Sequence, residues 1–508
     1  MERRAFLKFV GVSAVAAAGG ATYACSSGQS IPSLIPAAQD DDAQRVANDP
    51  KVAFSSEVDV LIIGSGIAGL SAAMAPAEAG RSVMVVDKLD LLGGESFSSN
   101  GIMRVSGSAF QKSAGIDTTA IEAWDVRKQE LANEGVSDIE FAKRLFITAP
   151  EWIDHLVDGY HVELADPRTY VKTGVPSTIL LPKNGLGDME SFMVPLRNGL
   201  AEKGVAFSTG MQAVAFIQDG DGSVCGMRLV AAKTQAVSDI RAKRVVVATG
   251  GFASSQPLIH AYVPDQEQVA SYTFASMGEG QTLCSGVGGK LSGMDKPASL
   301  TGKIPQVCAW GMFAPTLIVD LEGKRFARED DVNAAANACH ADDRSCWWTV
   351  FDKQLIESSQ SRSVAQVTAK HAKRLVGPCD TLENLAKAMA MPTDMLKAAL
   401  DSYDKMVDSG KDETFGRTLF LQKLSAPYYA LRQSPVRYKT RGGTNTDGDG
   451  RLLNATGSAV FGVYCCGSVG ASSLEGLALN GAFGMLVGKA VTKALSEEDK
   501  SGSAQAPA

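Results

Sequence analysis

Several familiar devices are missing from this chain of 508 residues. None of its nine cysteines falls in a Cys-x-x-Cys pair or in ferredoxin spacing, so no cluster-binding signature is written in the sequence. Cys-x-x-Cys-His is absent too, which excludes a covalently attached c-type haem of its own. Basic residues are outnumbered 49 to 56, and the resulting net charge of −7 removes the electrostatic footing for nucleic-acid binding. Aromatic residues make up only 7% against 51 glycines, a balance that suits an α/β protein whose backbone approaches a cofactor closely. With 45% hydrophobic and 21% charged residues the chain is neither disordered nor collagen-like. At roughly 150 residues per domain it has room for two to four domains, which excludes a small stapled scaffold.

The first 25 residues have the layout of a targeting segment and are set apart from the fold. Arg3-Arg4, then Ala5-Phe6-Leu7-Lys8 and a short Ala/Gly-rich apolar run, resemble a twin-arginine export signal. That run is too short and too glycine-interrupted for the ~20 apolar residues of a membrane span. Cys25, between Ala24 and Ser26, is a candidate for lipid attachment, although Thr22 stands where a lipobox favours an aliphatic residue. The expected location is therefore the cell envelope, on the outer face of the cytoplasmic membrane. Residues 26–56 mix Pro, Ser, Ala and an acidic triplet without apolar periodicity and read as a solvated tether.

From Val58 the sequence VDVLIIGSGIAGLSAAMAPAEAGRSVMVVDK reads as strand, glycine turn, helix and second strand. Each glycine has its own role, since Gly64 permits the tight turn, Gly66 lets backbone approach a pyrophosphate, and Gly69 lets the helix pack on the strand. The residues Ile67 and Ala68 begin a helix whose positive end faces the phosphates. Asp87 closes the second strand, where an acid accepts a hydrogen bond from a ribose hydroxyl. The segment LDLLGGESFSSNGIM follows at once and offers a second set of donors, which favours FAD over NAD. Further on, RAKRVVVATGGFASSQ supplies a strand ending in Ala248-Thr249-Gly250-Gly251, and GVYCCGSVGASSLEGLALNGAFGMLVGKAV supplies strand, turn and helix.

These separated blocks resemble the flavoprotein family that contains fumarate reductases, succinate dehydrogenase flavoprotein subunits and 3-ketosteroid dehydrogenases. The resemblance covers about residues 57–495, with its most specific motifs at 60–101, 244–256, 315–326 and 440–490. It implies an α/β fold: a discontinuous Rossmann-like FAD-binding domain, 57–294 and 440–495, with an inserted α+β capping domain, 295–439, that covers the flavin. Residues 496–508 are expected to be a disordered tail. As cofactor contacts it implies, besides the glycine loop and Asp87, Lys88, Gly94, Glu95, Ser96, Ser99, Asn100, Gly101, Ala213, Ala248, Thr249, Gly250, Ser468 and Leu479.

The chain departs from the family's dicarboxylate branch at three positions. Counting eight residues from Arg325 in the Gly-Lys-Arg-Phe core, where that branch has its proton-donating arginine, gives Asn333, whose amide donates hydrogen bonds but cannot act as the acid. Lys439, with Arg441 beside it, stands where the family has a histidine. Glu475 stands where a second arginine clamps a carboxylate, and its charge would repel that group. The flavin machinery is thus expected without the dicarboxylate clamp, which points to a neutral or larger α,β-unsaturated carbonyl substrate. Candidate hydrogen-bond donors to its developing enolate are Lys439, Arg441, Tyr438 and Arg328.

The whole assembly further resembles those family members that reduce the unsaturated lactone of cardiac glycosides, implying a large steroid-like small-molecule substrate beneath the cap. No second Gly-x-Gly-x-x-Gly unit offers NADPH a site, so the resemblance implies a membrane-linked multihaem c-type cytochrome as electron donor. It also raises a [4Fe–4S] cluster on Cys339, Cys346, Cys465 and Cys466, although Cys465 and Cys466 are neighbours at a strand end, where side chains point apart. Two other readings stay open: a ketosteroid dehydrogenase running the reverse chemistry, and an exported flavin-binding or electron-transfer protein without turnover.

Overall fold

The computed structural model describes residues 46–47, 52–133, 138–167, 179–471 and 476–504. Residues 1–25, the expected export signal with Cys25, and Glu475 lie outside the described residues. Among those described, no helix is long and apolar enough to cross a membrane.

The continuous apolar run ending at Ile63 becomes the strand Ser56–Ile63, buried on both faces as a central parallel strand must be. It lies in a nine-stranded sheet. Its parallel part runs in the order Ala206–Ser208, Val83–Val86, Ser56–Ile63, Val237–Val247, Ala459–Cys465. Ile63 is in register with both Val86 and Val247, and Cys465 with Val247, so these strands end at one level. In an open parallel sheet that edge is where ligands bind. Beyond it, Met211–Gln218 and Val224–Ala231 form an antiparallel meander with Val237–Val247.

The helix Ile67–Glu78 packs between this sheet and the helix Leu477–Ala504. The two helices approach so closely that a Cβ at Gly484 or Gly488 would stand 2.1 Å from the Ala68 carbonyl oxygen or 2.6 Å from that of Ala72. A third helix, Ile139–Tyr160, is tied in by the Trp152 indole N–H, which donates to Ser71 Oγ at 2.9 Å.

Two segments are more ordered than the sequence suggested. Val46–Ala47, inside the expected tether, pairs with Ile217–Gln218, and the C-terminal helix continues to Ala504 instead of ending at 495. Charge explains the second difference: Asp499 pairs with Arg81 at 2.7 Å and Glu498 with the buried Arg244, pinning the last turns to the sheet edge.

Residues 317–433 build a separate four-stranded antiparallel sheet, in the order Leu317–Val319, Trp347–Asp352, Tyr428–Gln433, Leu375–Cys379. The helices Leu382–Met389 and Thr393–Ser409 cover one face through Leu385, Leu396, Leu400 and Tyr403. Two short strands, Ser299–Gly302 and Pro435–Lys439, pair at the join between this region and the larger sheet.

Candidate active site

Where the parallel strands end, a cleft opens between Gly64, Asp87, Ala248 and Gly467. Its floor is backbone. Gly64 has φ +104, and a Cβ there would stand 2.4 Å from the Ala248 carbonyl oxygen, so only glycine makes this turn. Gly69 is packed as closely, since a Cβ there would stand 2.0 Å from the Gly64 carbonyl oxygen, and this seats the helix on the strand. Gly66 differs: a Cβ there would meet only Ser96 Oγ, at 3.5 Å, and would otherwise project into the cleft. Gly66 caps the helix with no side chain, leaving that helix end to the cleft.

Asp87 is buried and accepts from the Ser65 backbone N–H at 2.9 Å, the Ser65 hydroxyl at 2.5 Å and the Leu89 N–H at 2.9 Å. Lys88 pairs with Glu279 and donates to the Ala275 carbonyl at 2.7 Å. Ser96 Oγ accepts the Ile67 N–H at 3.0 Å, joining the second donor segment to the first. Glu95 accepts from the Ser276 hydroxyl, and burial pushes its carboxyl above the usual range against the pull of Ser276, Thr273, Lys88 and Lys439.

Of the expected cofactor residues, Gly64, Gly66, Ile67, Ala68, Asp87, Lys88, Gly94, Glu95, Ser96, Ala213, Ala248, Thr249, Gly250 and Ser468 line this cleft. Gly69 packs behind it. Ser99, Asn100, Gly101 and Leu479 do not line it: the Asn100 amide donates to the Pro305 carbonyl at 3.3 Å, and Leu479 belongs to the core around the first helix. The cleft also draws on Ser65, Gln212, Ser276, Glu279 and Asn480. Ser65, inside the glycine loop, was legible; the others arrive from segments without local signature.

A flavin dinucleotide fits this donor set. Thr249 Oγ1 is buried at the cleft wall without a hydrogen-bond partner, the acid stands at the strand end, and Gly66, with free space ahead of its Cα, is the glycine that must face a diphosphate.

The proposed substrate-side residues divide. Thr440 Oγ1 accepts the Phe252 N–H at 3.0 Å and stands 2.5 Å from where a Cβ on Gly251 would be, which fixes the segment 438–441 against the cofactor turn. Lys439 acts as a charge on Glu95, and Arg441 Nε donates to Ser299 Oγ at 3.3 Å. Tyr438 and Lys439 thus end the strand Pro435–Lys439, and Arg441 follows it, where the smaller sheet joins the larger one. Arg328 is instead committed to the buried Asp330 at 2.7 Å. Asn333 precedes the helix Ala334–Ala341, and its Oδ1 is buried without a partner.

The four cysteines do not form one ligand set. Cys466 belongs to the core around the first helix, Cys465 to the core across the sheet, and Cys339 to a core of the cap. Cys346 receives the Arg432 guanidinium at 3.0 Å, and Cys465 lies 3.7 Å from Cys284. Strand alternation separates the adjacent pair, as a pleat requires. Among the described residues no group of three or more Cys, His, Asp or Glu is arranged to hold a metal ion.

Comparison with known proteins agrees with the geometry. Residues 59–484 match the family model of the FAD binding domain. A probable fumarate reductase of Shewanella frigidimarina is 26% identical over 424 residues, covering 82% of this chain and 70% of that protein. The open conformation of a flavocytochrome c3 fumarate reductase superposes with a TM-score of 0.65 at 24% identity, covering 87% of this chain and 79% of that one. The 3-ketosteroid-Δ4-(5α)-dehydrogenase from Rhodococcus jostii RHA1, in complex with 4-androstene-3,17-dione, gives 0.65 at 20% identity over 88% and 99%. The chain belongs to the FAD binding domain family.

Proposed function

We propose that the chain is an FAD-dependent ene-reductase whose substrate is a bulky, neutral α,β-unsaturated carbonyl compound, the butenolide lactone of cardiac glycosides such as digoxin. What supports this reading is the position of Lys439 and Arg441 beside the cofactor cleft, together with Asn333 standing in the sequence where the dicarboxylate branch has its proton-donating arginine. The glycine loop, Asp87, Glu95, Ser96 and Thr249 would hold FAD, which would supply hydride chemistry at this site. Lys439 and Arg441 donate to the carbonyl oxygen as negative charge builds there, while the cap excludes water. Asn333 orients the same oxygen or a neighbouring hydroxyl through its amide, and the proton for the α-carbon comes from another group.

The fumarate reductase relatives support C=C reduction, and the flavocytochrome among them supports electron delivery by a c-type cytochrome. Arg3-Arg4 supports export by the twin-arginine route, and Cys25 a lipid anchor. Desaturation of a steroid ring is the second reading, favoured by the fold shared with the ketosteroid dehydrogenase.

The test is anaerobic. The flavin is reduced with methyl viologen and its reoxidation followed on adding digoxin, with fumarate as control. Reoxidation by digoxin alone is expected, slowed about 10²–10³-fold in Arg441→Ala with flavin still bound. Reoxidation by fumarate overturns the substrate class, and unchanged kinetics in Arg441→Ala remove that residue from the site.

A further inference from the structure

The charged side chains lining the cleft are Asp87, Lys88, Glu95 and Glu279: three carboxyls against one ammonium. A flavin dinucleotide would bring two further negative charges on its diphosphate. With Lys439 acting on Glu95 as well, five negative charges face two positive ones in a partly desolvated cleft, an excess that favours neutralising one carboxyl when the cofactor is in place.

The surroundings identify which. Asp87 is stabilised as a carboxylate by two backbone N–H groups and a hydroxyl. Glu279 has the Lys88 ammonium. Glu95 has hydroxyl partners, Ser276 and Thr273, either of which can turn to accept a proton as readily as donate one. Lys88 is ion-paired with Glu279 and, like Lys439, acts on Glu95 as a charge. On its own short helix, Gly94–Phe97, Glu95 is the sole titratable group. The segments packed against it contribute Asp87, Lys88, Glu279 and Lys439.

The geometry points to Glu95 as the group that enters the cofactor complex as a neutral acid, so that FAD binding to this cleft takes up one proton from solution. As an acid it donates a hydrogen bond to Ser276 or to an oxygen of the cofactor; as a carboxylate it opposes the diphosphate. The raised titration of Glu95, driven by burial, agrees in direction. Affinity is then full at low pH and falls as pH rises through the titration of Glu95. This rests on the FAD site and not on the substrate reading, which turnover tests separately.

The experiment uses the full chain freed of flavin. FAD is titrated in from pH 6 to 9 by flavin fluorescence, and by calorimetry in two buffers of different ionisation heat. The expected Kd is flat below the titration point of Glu95 in the free protein and rises above it, approaching about tenfold per pH unit, and over that upper range binding takes up close to one proton. In Glu95→Gln the Kd is flat with pH, tighter than wild type at pH 9, and without proton uptake. Ser276→Ala keeps the acid but removes a donor to its ionised form, so its titration point moves to higher pH. A wild-type Kd independent of pH, equal proton uptake in Glu95→Gln, or an unmoved titration point in Ser276→Ala each overturns the assignment.

Discussion

The cleft and the cap are held together by opposite means. The cleft is backbone geometry: Gly64 at φ +104, Gly69 packed where a Cβ would stand 2.0 Å from a carbonyl oxygen, and parallel strands ending in register. The cap is centred on buried charge. Arg325, the arginine of the Gly-Lys-Arg-Phe segment, grips Glu329 at 2.8 Å and Asp412 at 2.7 Å. Arg417, 1% exposed, donates to Glu329 at 3.2 Å, to the Tyr403 hydroxyl at 3.1 Å and to the Thr316 carbonyl at 2.6 Å. The Gly-Lys-Arg-Phe core therefore has a structural part here. Its arginine braces the cap, and the residues nearest the cofactor turn come from the strand that leaves it.

The comparison breaks most sharply at Arg417. Replacing it with Met removes a guanidinium from the centre of the network and leaves Glu329 buried with one cation fewer, at a cost of about 3–5 kcal/mol. The expected outcome is a lower unfolding temperature by calorimetry, with FAD affinity at low temperature close to wild type because none of the network lines the cleft. Parallel loss of flavin affinity in the folded variant would show that cap and cleft are one cooperative unit.

The reciprocal change is Gly66→Val. Because the protein leaves space ahead of Gly66, and its φ is −64, the fold tolerates a side chain there. The isopropyl group then occupies the diphosphate's place. A loss of roughly two orders of magnitude in FAD affinity, about 2.7 kcal/mol, is expected, with the unfolding temperature of the flavin-free chain unchanged. Yellow protein purified from this variant would sink the assignment of the glycine loop.

This contrast also governs what could be read from the sequence. The glycine loop, Asp87 and Gly94–Ser96 fall within a few tens of residues, and each residue type is dictated by local backbone need, so spacing alone exposes them. The parallel α/β core was legible for the same reason. Ser276, Glu279 and Asn480 were not, because they reach the cleft through tertiary packing of segments whose own patterns are ordinary. Ser99, Asn100, Gly101 and Leu479 lie near cleft-lining residues in sequence without lining the cleft themselves, and Asn100 donates to the Pro305 carbonyl. The C-terminal turns looked like a polar tail because an ion pair with Arg81, over four hundred positions away, leaves no local mark.

The smallest effect sharpens the comparison by pH. Burial pushes the Asp412 carboxyl up, but hydrogen bonds from Arg325 and from the Arg417 and Phe415 backbone N–H groups outweigh it and hold the group below its ordinary value of 3.8. A carboxyl depressed on folding contributes stability that is fully present above the unfolded value and is lost as pH falls toward the folded one. Asp412→Asn keeps one acceptor oxygen but loses the charge facing Arg325, so it should be less stable than wild type at pH 7. The difference should shrink as pH drops below 3.8, where the unfolded wild-type carboxyl takes up its proton. The cleft supplies the control: Gly66→Val carries no titrating change, so its stability relative to wild type, without flavin, should stay flat over the same range. Unfolding curves of both variants from pH 7 to pH 3 decide it. A pH-independent deficit in Asp412→Asn would mean that the cap is held at this point by hydrogen-bond geometry and not by charge, which would bring its physics closer to that of the cleft.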